Sequence, residues 1–289
     1  MSDLGEMSYF LGMEIHQCES GIFVSQHKYA LDVLKKFSMD QCMSVPTPLV
    51  QNSKLIAEDG YEKTNASIYR SLVESLSYLT ATRPDLMYAA SLLSRFIHSP
   101  SQAHFGVAKR VLRYLNGTSD YGLWFEKHKH GILHYFSDSD WAGSHEDAKS
   151  TTGFAAFSWM SRKQEVVAQS TAEAEYIAAA EAVNHAAWIN KMLIDMGCYQ
   201  LKPCVIHCDN NSTIAIAHNP VQHGHTKHVN VKFHVLRNMV QSKEIEMVYC
   251  HNNEHVADIF TKVLSKFKFE KFRSKLGVSS KNSGGVLKT

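Results

Sequence analysis

The chain has no pair of cysteines at Cys-x-x-Cys spacing, no apolar run of membrane-spanning length and no signal-like leader. Nowhere are two aspartates adjacent. Its six cysteines, Cys18, Cys42, Cys198, Cys204, Cys208 and Cys250, are scattered, which argues against a thiol-redox motif or a cysteine-built zinc site. They read as free thiols in a reducing compartment. With no leader or span in view, an intracellular location (cytoplasm or nucleus) and no membrane partner are expected. Net charge is +2, too near balance to announce a nucleic-acid partner by itself. No internal repeat is visible. The 289 residues are 44% hydrophobic and 20% charged, which describes a folded chain long enough for two cores.

The first half reads as two strands, 8–16 and 21–26, turning at Glu19-Ser20-Gly21. A helix over 27–38 and a Pro-containing loop, Ser44–Tyr61, follow. Helical patterns then span about 66–82, 84–98 and 101–116. Pro84 stands where a helix start tolerates it, and Asn116-Gly117 stops the third. A linker, 117–130, holds the short apolar piece Tyr121–Phe125. Beyond it the spacing predicts strands at 131–137, 153–157 and 158–162, a helix at 171–196 and a strand at 203–208. Helices at 210–218 and 227–241, a strand at 244–250 and helices at 255–263 and 267–276 complete the order. It fits a mixed α/β layer with helices on a central sheet. The Ser/Gly/Lys-rich end, 278–289, reads as a frayed tail.

Within this order four acids stand out. Asp138 closes an apolar strand, Glu175 lies early on the long helix, Asp209 ends the strand Cys204–Cys208, and Asp258 lies on a later helix. Carboxylates brought together repel unless a cation sits among them. A set of hard oxygens suits Mg²⁺ or Mn²⁺. Two such ions, about 3.5–4 Å apart, can activate water and stabilise the leaving oxygen of a phosphodiester. Spacing alone leaves open that these are four solvated surface charges. Glu173 is two positions from Glu175, about 200° round a helix, so only one of the pair can face a common site. Asp140 suits a turn with Gly143.

Basic residues crowd from Lys262 to Lys275, opposed only by Glu270. They could track phosphates or simply coat a solvated helix face. The histidines His218, His223, His225, His228 and His234 invite a zinc reading, but no cysteine pair accompanies them. His251 and His255 precede Asp258 closely and are candidates for a mobile site histidine, or are plain loop residues.

Several blocks carry a resemblance. They are Ser137-Asp138-Ser139-Asp140-Trp141-Ala142-Gly143, Lys149-Ser150-Thr151-Thr152-Gly153-Phe154, Ser170-Thr171-Ala172-Glu173-Ala174-Glu175-Tyr176 and Cys208-Asp209-Asn210-Asn211-Ser212. Thr226-Lys227-His228, Ala257-Asp258-Ile259-Phe260-Thr261-Lys262 and Lys271-Phe272-Arg273-Ser274-Lys275-Leu276 continue it. Together they resemble the ribonuclease H domain of copia-type LTR retrotransposon Pol polyproteins. Upstream, Tyr9–Ile15 and Gly21–Gln26 resemble the end of that family's reverse transcriptase. Leu79–Asp85 and Lys109–Leu115 resemble the helical connection after it.

The resemblance implies a reverse-transcriptase remnant (1–50), a connection (51–128), a ribonuclease H-like domain (129–277) and a flexible tail (278–289). The implied fold is a ribonuclease H-like mixed sheet with flanking helices, preceded by a mainly helical thumb/connection fragment with a small β-hairpin. It implies that Asp138, Glu175, Asp209 and Asp258 are catalytic and hold two Mg²⁺ or Mn²⁺ ions. It also implies that Lys227, His228, Lys262, Lys271 and Arg273 contact nucleic acid. The expected reaction is hydrolysis of the RNA strand of RNA–DNA hybrids, with an intact reverse transcriptase or other Pol products as partners. The Asp-Asp pair of a polymerase site is missing, so DNA synthesis is not expected. Three departures bear on activity: the missing polymerase pair, Asn230 where the family usually has Asp, and the direct run of Gly153–Phe157 into Ser158-Trp159. The last predicts shortened or slipped strands. A catalytically silent remnant that only binds nucleic acid or a partner is the alternative reading.

Overall fold

The structure, a computed structural model, describes residues 5–51, 55–127, 132–198, 202–218 and 230–281, with the backbone alone over 230–234. The chain forms two compact units: Met1–Lys129 with Val263–Thr289, and His130–Lys262. Residues 263–277, expected with the second domain, group with the first, and 1–50 and 51–128 fall in the same unit.

In the first unit, strands β1 (Tyr9–Phe10), β2 (Met13–Cys18) and β3 (Gly21–Ser25) precede helices α1 (His27–Lys36), α2 (Ala66–Leu79), α3 (Met87–Ser94) and α4 (Gln102–Asn116). Strand β4 (Tyr121–Glu126) follows. The pattern read as one helix over 84–98 is a 3-10 turn at Pro84–Leu86 followed by α3.

The second unit holds β5 (His134–Asp140), β6 (Thr151–Ala155), β7 (Trp159–Lys163), α5 (Thr171–Asp195), β8 (Cys204–Cys208), α6 (Asn211–His218), α7 (Asn230–Gln241) and β9 (Ile245–Tyr249). A 3-10 turn at Val256–Phe260 ends it. Helix α8 (Lys266–Lys275) and strand β10 (Val278–Ser280) return to the first unit.

The expected small hairpin is in fact part of a five-stranded sheet, ordered β1-β2-β3-β4-β10. Strand β4 pairs antiparallel with β3, and β10 pairs antiparallel with β4. The apolar piece in the supposed linker was too short to show a period, and the start of the supposed tail forms an edge strand. What fastens α8 here is a buried ionic network. Arg83 donates to both Asp85 carboxylate oxygens at 2.9 and 2.8 Å and to the Thr118 carbonyl at 2.7 Å. The Tyr114 hydroxyl donates to Asp85 Oδ2 at 2.6 Å, and Arg273 donates to that hydroxyl at 3.0 Å. Burial alone would raise Asp85, but the Arg83 guanidinium holds it below its ordinary value. Arg273, expected on nucleic acid, is thus engaged inside the first unit.

The second sheet runs β7-β6-β5-β8-β9. β5–β6 and β6–β7 are antiparallel; β5–β8 and β8–β9 are parallel. The absent residues between β6 and β7 do not make the pairing slip. Five pairs run from Thr151↔Lys163 to Ala155↔Trp159, and the Ala156 N–H closes the turn onto the Ser158 carbonyl at 2.7 Å. Helix α5 lies on this sheet through Ala174, Ala178, Ala179, Ala182 and Ala186, all buried. Such small side chains let its backbone approach the strands, with Tyr135, Phe154, Tyr176, Ile177, Val183 and Ile206 filling the gaps. Among the described residues no helix is long and apolar enough to cross a membrane.

Asp85→Ala is expected to strand the buried Arg83 charge and cost about 3–5 kcal/mol in urea unfolding. Tyr114→Phe, which removes one hydroxyl, should cost about 1–3 kcal/mol. Equal, small losses would disprove the network's role.

Candidate metal centre

Asp138 occupies the middle of β5, opposite Gly153 of β6, and is 1% exposed. Asp209 follows β8 directly, where the parallel pairing Phe136↔His207 puts it beside Asp138 on the same sheet face. Asn210 then starts α6, its side chain accepting from the Ser212 and Thr213 N–H groups at 2.9 and 3.1 Å. The Thr213 hydroxyl donates to the Ala172 carbonyl at 3.0 Å and ties this corner to the start of α5.

Ser170 caps α5, accepting from the Glu173 N–H, and Glu173 reaches back to the Gln169 N–H at 2.7 Å. Glu173 is half-buried; Glu175, buried, turns inward and accepts from the Ser139 N–H at 3.0 Å. Of the two acids, Glu175 is therefore the one that joins the cluster. Asp140 accepts from the Thr151 N–H and serves the turn to Gly143.

Asp258 was expected on a helix of 255–263. It sits instead on the 3-10 turn, 1% exposed. All five residues of that turn are buried, so no solvated face exists to continue a helix. Gly153 makes the placement possible. A Cβ there would meet Phe260 Cβ at 2.6 Å and Thr261 Cγ2 at 2.8 Å. Only a bare backbone lets the turn lie against β6. Thr261 then donates its hydroxyl to Asp138 Oδ2.

The four predicted acids converge in two overlapping groups. One ligand atom each from Asp138, Asp209, Asp258 and His255 lie within 4.8 Å of one another, and so do atoms from Glu175, Cys208 and Asp209. Asp138 Oδ1 and Glu175 Oε2 are buried with no hydrogen-bond partner among the described residues. Orphaned anionic oxygens of this kind fit a hard divalent cation.

Lys262, expected on phosphate, places its Nζ 2.8 Å from Asp258 Oδ1 and 3.4 Å from Asp138 Oδ2. Burial alone would lower its pKa, but Asp138 and Asp258 together raise it. Glu175 is pushed well up by burial and then by Asp138 and Asp209, against the Ser139 N–H and Lys262. Asp209 is raised by burial and Asp138, with His255 and Lys262 opposing. Burial and the nearby Glu175 carboxylate keep the Cys208 thiol protonated.

Sequence reasoning missed Gly153, Thr261 and the role of Lys262. The signals available were a glycine inside a strand and the Asp258–Lys262 spacing of four. His255 is fully buried, its Nε2 2.9 Å from the Ser137 carbonyl, and is not an exposed loop histidine; His251 is exposed. Lys271 lies on α8, which groups with the first unit. Lys227, His228, His223 and His225 lie outside the described residues, as does the side chain of His234, so the zinc reading of that stretch has no structural counterpart to weigh.

Comparison with known proteins settles the family. A family profile described as Reverse transcriptase (RNA-dependent DNA polymerase) matches residues 1–51. The Retrovirus-related Pol polyprotein from transposon RE1 of Arabidopsis thaliana is 39% identical over 96% of the chain. That from transposon TNT 1-94 of Nicotiana tabacum is 37% identical over 97%. The chain belongs to the copia-type retrotransposon Pol polyproteins. It spans 19% and 22% of the length of those two relatives. Among solved structures, a foamy viral protease-reverse transcriptase in complex with double-stranded DNA aligns over 84% of this copia-type chain and 37% of its own. Its TM-score is 0.44 at 10% identity, too distant a likeness to build on.

The raised Glu175 sets a pH dependence in the metal-free chain. Its contribution is fully favourable below the ordinary value of 4.5 and is lost as pH rises through the folded-state value. Glu175→Gln should therefore raise Tm above wild type near pH 8 by ~2–4 °C, the shift expected of about 1 kcal/mol, with little gain near pH 4. Thermal melts in EDTA at both pH values check this, and an equal gain at both would refute it.

Proposed function

We propose that the second unit, His130–Lys262, is a ribonuclease H that hydrolyses the RNA strand of RNA–DNA hybrids with Mg²⁺ or Mn²⁺. The observation that carries the reading is the convergence of Asp138, Glu175, Asp209 and Asp258, far apart in sequence, with buried unpartnered oxygens on Asp138 and Glu175. Their chain order, Asp-Glu-Asp-Asp with the glutamate on the long helix, is the ribonuclease H order. An Asp-Asp-Glu order would point to the integrase and transposase branch. The mixed sheet, with one acid on β5 and another just past the end of the adjacent β8, fits the same reading.

Asp209 is the shared point: it belongs to both groups, and Asp138 acts electrostatically on it and on Glu175. Bound among these acids, divalent cations would supply Lewis-acid charge and lower the pKa of an attacking water. Glu175 is held at one oxygen by the Ser139 N–H and keeps the other free as a ligand. Thr261 fixes the Asp138 carboxylate rotamer. Lys262, partly exposed, is released from the acids when cations neutralise them, and its ammonium can then face a phosphate. The ribose 2′-OH groups of the RNA strand would distinguish substrate from DNA.

The silent-remnant reading draws on one observation, that Lys262 already supplies a positive charge to the cluster. One assay separates the two. With a labelled RNA–DNA hybrid, Mg²⁺-dependent cleavage stopped by EDTA is expected. Asp138→Asn should slow it by about 10²–10³-fold or more while circular dichroism stays unchanged. Hybrid binding without cleavage under Mg²⁺ and Mn²⁺ would establish the silent reading. Gly153→Ala should also cut cleavage, by displacing the turn that carries Asp258.

A further inference from the structure

We propose that His255 is a nitrogen ligand of this centre, binding through Nδ1 and giving the Asp138–Asp209–Asp258 side a preference for Mn²⁺ over Mg²⁺. The inference rests on the reading that these acids hold a divalent cation, and adds to it a ligand that an all-carboxylate set does not contain.

Three observations support it. First, a ring nitrogen of His255 lies within 4.8 Å of carboxylate oxygens from Asp138, Asp209 and Asp258. Second, the imidazole is 0% exposed. Third, its two nitrogens are in different states. Nε2 is 2.9 Å from the Ser137 carbonyl oxygen, which can only accept, so Nε2 carries the proton and donates. That leaves Nδ1 with a lone pair in the neutral ring, and Nδ1 has no hydrogen-bond partner among the described residues.

A histidine that ligates a metal commonly gives its other N–H to a backbone carbonyl, which fixes the tautomer and the ring plane. The Ser137 carbonyl, one residue before Asp138, does that here. A ring that merely fastened the 3-10 turn to β5 would need the Nε2 bond alone, and a buried unpartnered Nδ1 would then be a cost without return. Imidazole is a poor partner for Mg²⁺, which demands oxygen, and a better one for transition ions. The motif block around Asp258 begins past His255, which the sequence offered only as a mobile site histidine or a plain loop residue.

The test uses the full chain loaded with Mn²⁺ and read by electron spin-echo modulation. ¹⁴N modulation from a directly bound imidazole is expected, changing to the ¹⁵N pattern when the protein is labelled with ¹⁵N-histidine. The label needs no substitution, so it reads the site even if a variant misfolds. His255→Gln should remove the modulation and weaken Mn²⁺ binding by ~10–100-fold in titration calorimetry, with a smaller effect on Mg²⁺. Bound Mn²⁺ without histidine nitrogen modulation, or modulation that survives in folded His255→Gln, would overturn the ligand assignment and leave the carboxylate centre standing. Failure of the wild-type chain to bind Mn²⁺ would overturn the centre and the assignment together.

Discussion

Four carboxylates cannot share one corner of a sheet unless something positive shares it with them. At an effective dielectric constant of about 20, two unit charges some 5 Å apart repel by ~3 kcal/mol. Several such pairs approach the whole stability of an ordinary domain. The metal-free chain meets this in two ways. It draws in the Lys262 ammonium against Asp138 and Asp258, and it holds protons on Glu175 and Asp209 to higher pH than usual. Both are substitutes for a cation. Neither satisfies Asp138 Oδ1 or Glu175 Oε2. The remaining deficit is what a divalent ion can remove, and it turns a destabilised corner into a binding site.

The deficit is maintained by packing that leaves the acids little room to move apart. Alanines on α5 bring Glu175 close to β5, and the Ser139 N–H fixes the distance. Asn210 and Thr213 fasten Asp209 to the start of α5 through α6. Gly153 admits the turn with Asp258, and His255 latches that turn to Ser137. Each device is local, and each comes from a different stretch of chain. The cluster thus depends on the sheet order, in which β5 stands between antiparallel β6 and parallel β8 and can be approached from both sides.

Much of this was legible in the sequence. Strand and helix periods placed β5, α5, β8 and β9 within a few residues, because each runs long enough to show its buried face. The acids were found because their neighbours form blocks; helix angle allowed only one of Glu173 and Glu175 at the site, and the resemblance chose Glu175. Where legibility failed, the cause was nonlocal. Strand β4 is a short apolar piece whose identity comes from pairing with β3, and β10 from pairing with β4, far away in sequence. The turn at Asp258 lacks a helical period because it is buried all round. Arg273 looked like a phosphate contact because neither Tyr114 nor Asp85 is near it in sequence. The shortened β6–β7 connection suggested slippage, but three residues suffice to close it.

The Arg83–Asp85–Tyr114–Arg273 network shows by contrast why the acidic corner reads as functional. Both sets of charged side chains are largely buried, and both pay for desolvation. In the network every carboxylate oxygen of Asp85 meets a donor, two guanidinium groups balance the anion and a phenol, and the Asp85 pKa falls. In the corner four carboxylates face the single ammonium of Lys262, Asp138 Oδ1 and Glu175 Oε2 are left without donors, and the pKa values of Glu175 and Asp209 rise. A fold selected for stability alone could have replaced any of these acids by an apolar residue of similar size at little cost or some gain. Natural sequences tolerate such local conflict chiefly where a ligand resolves it. The same chain gives donors to both carboxylate oxygens of one cluster and leaves oxygens of another without any, so poor packing in general does not explain the difference. The incomplete one is where a cation belongs.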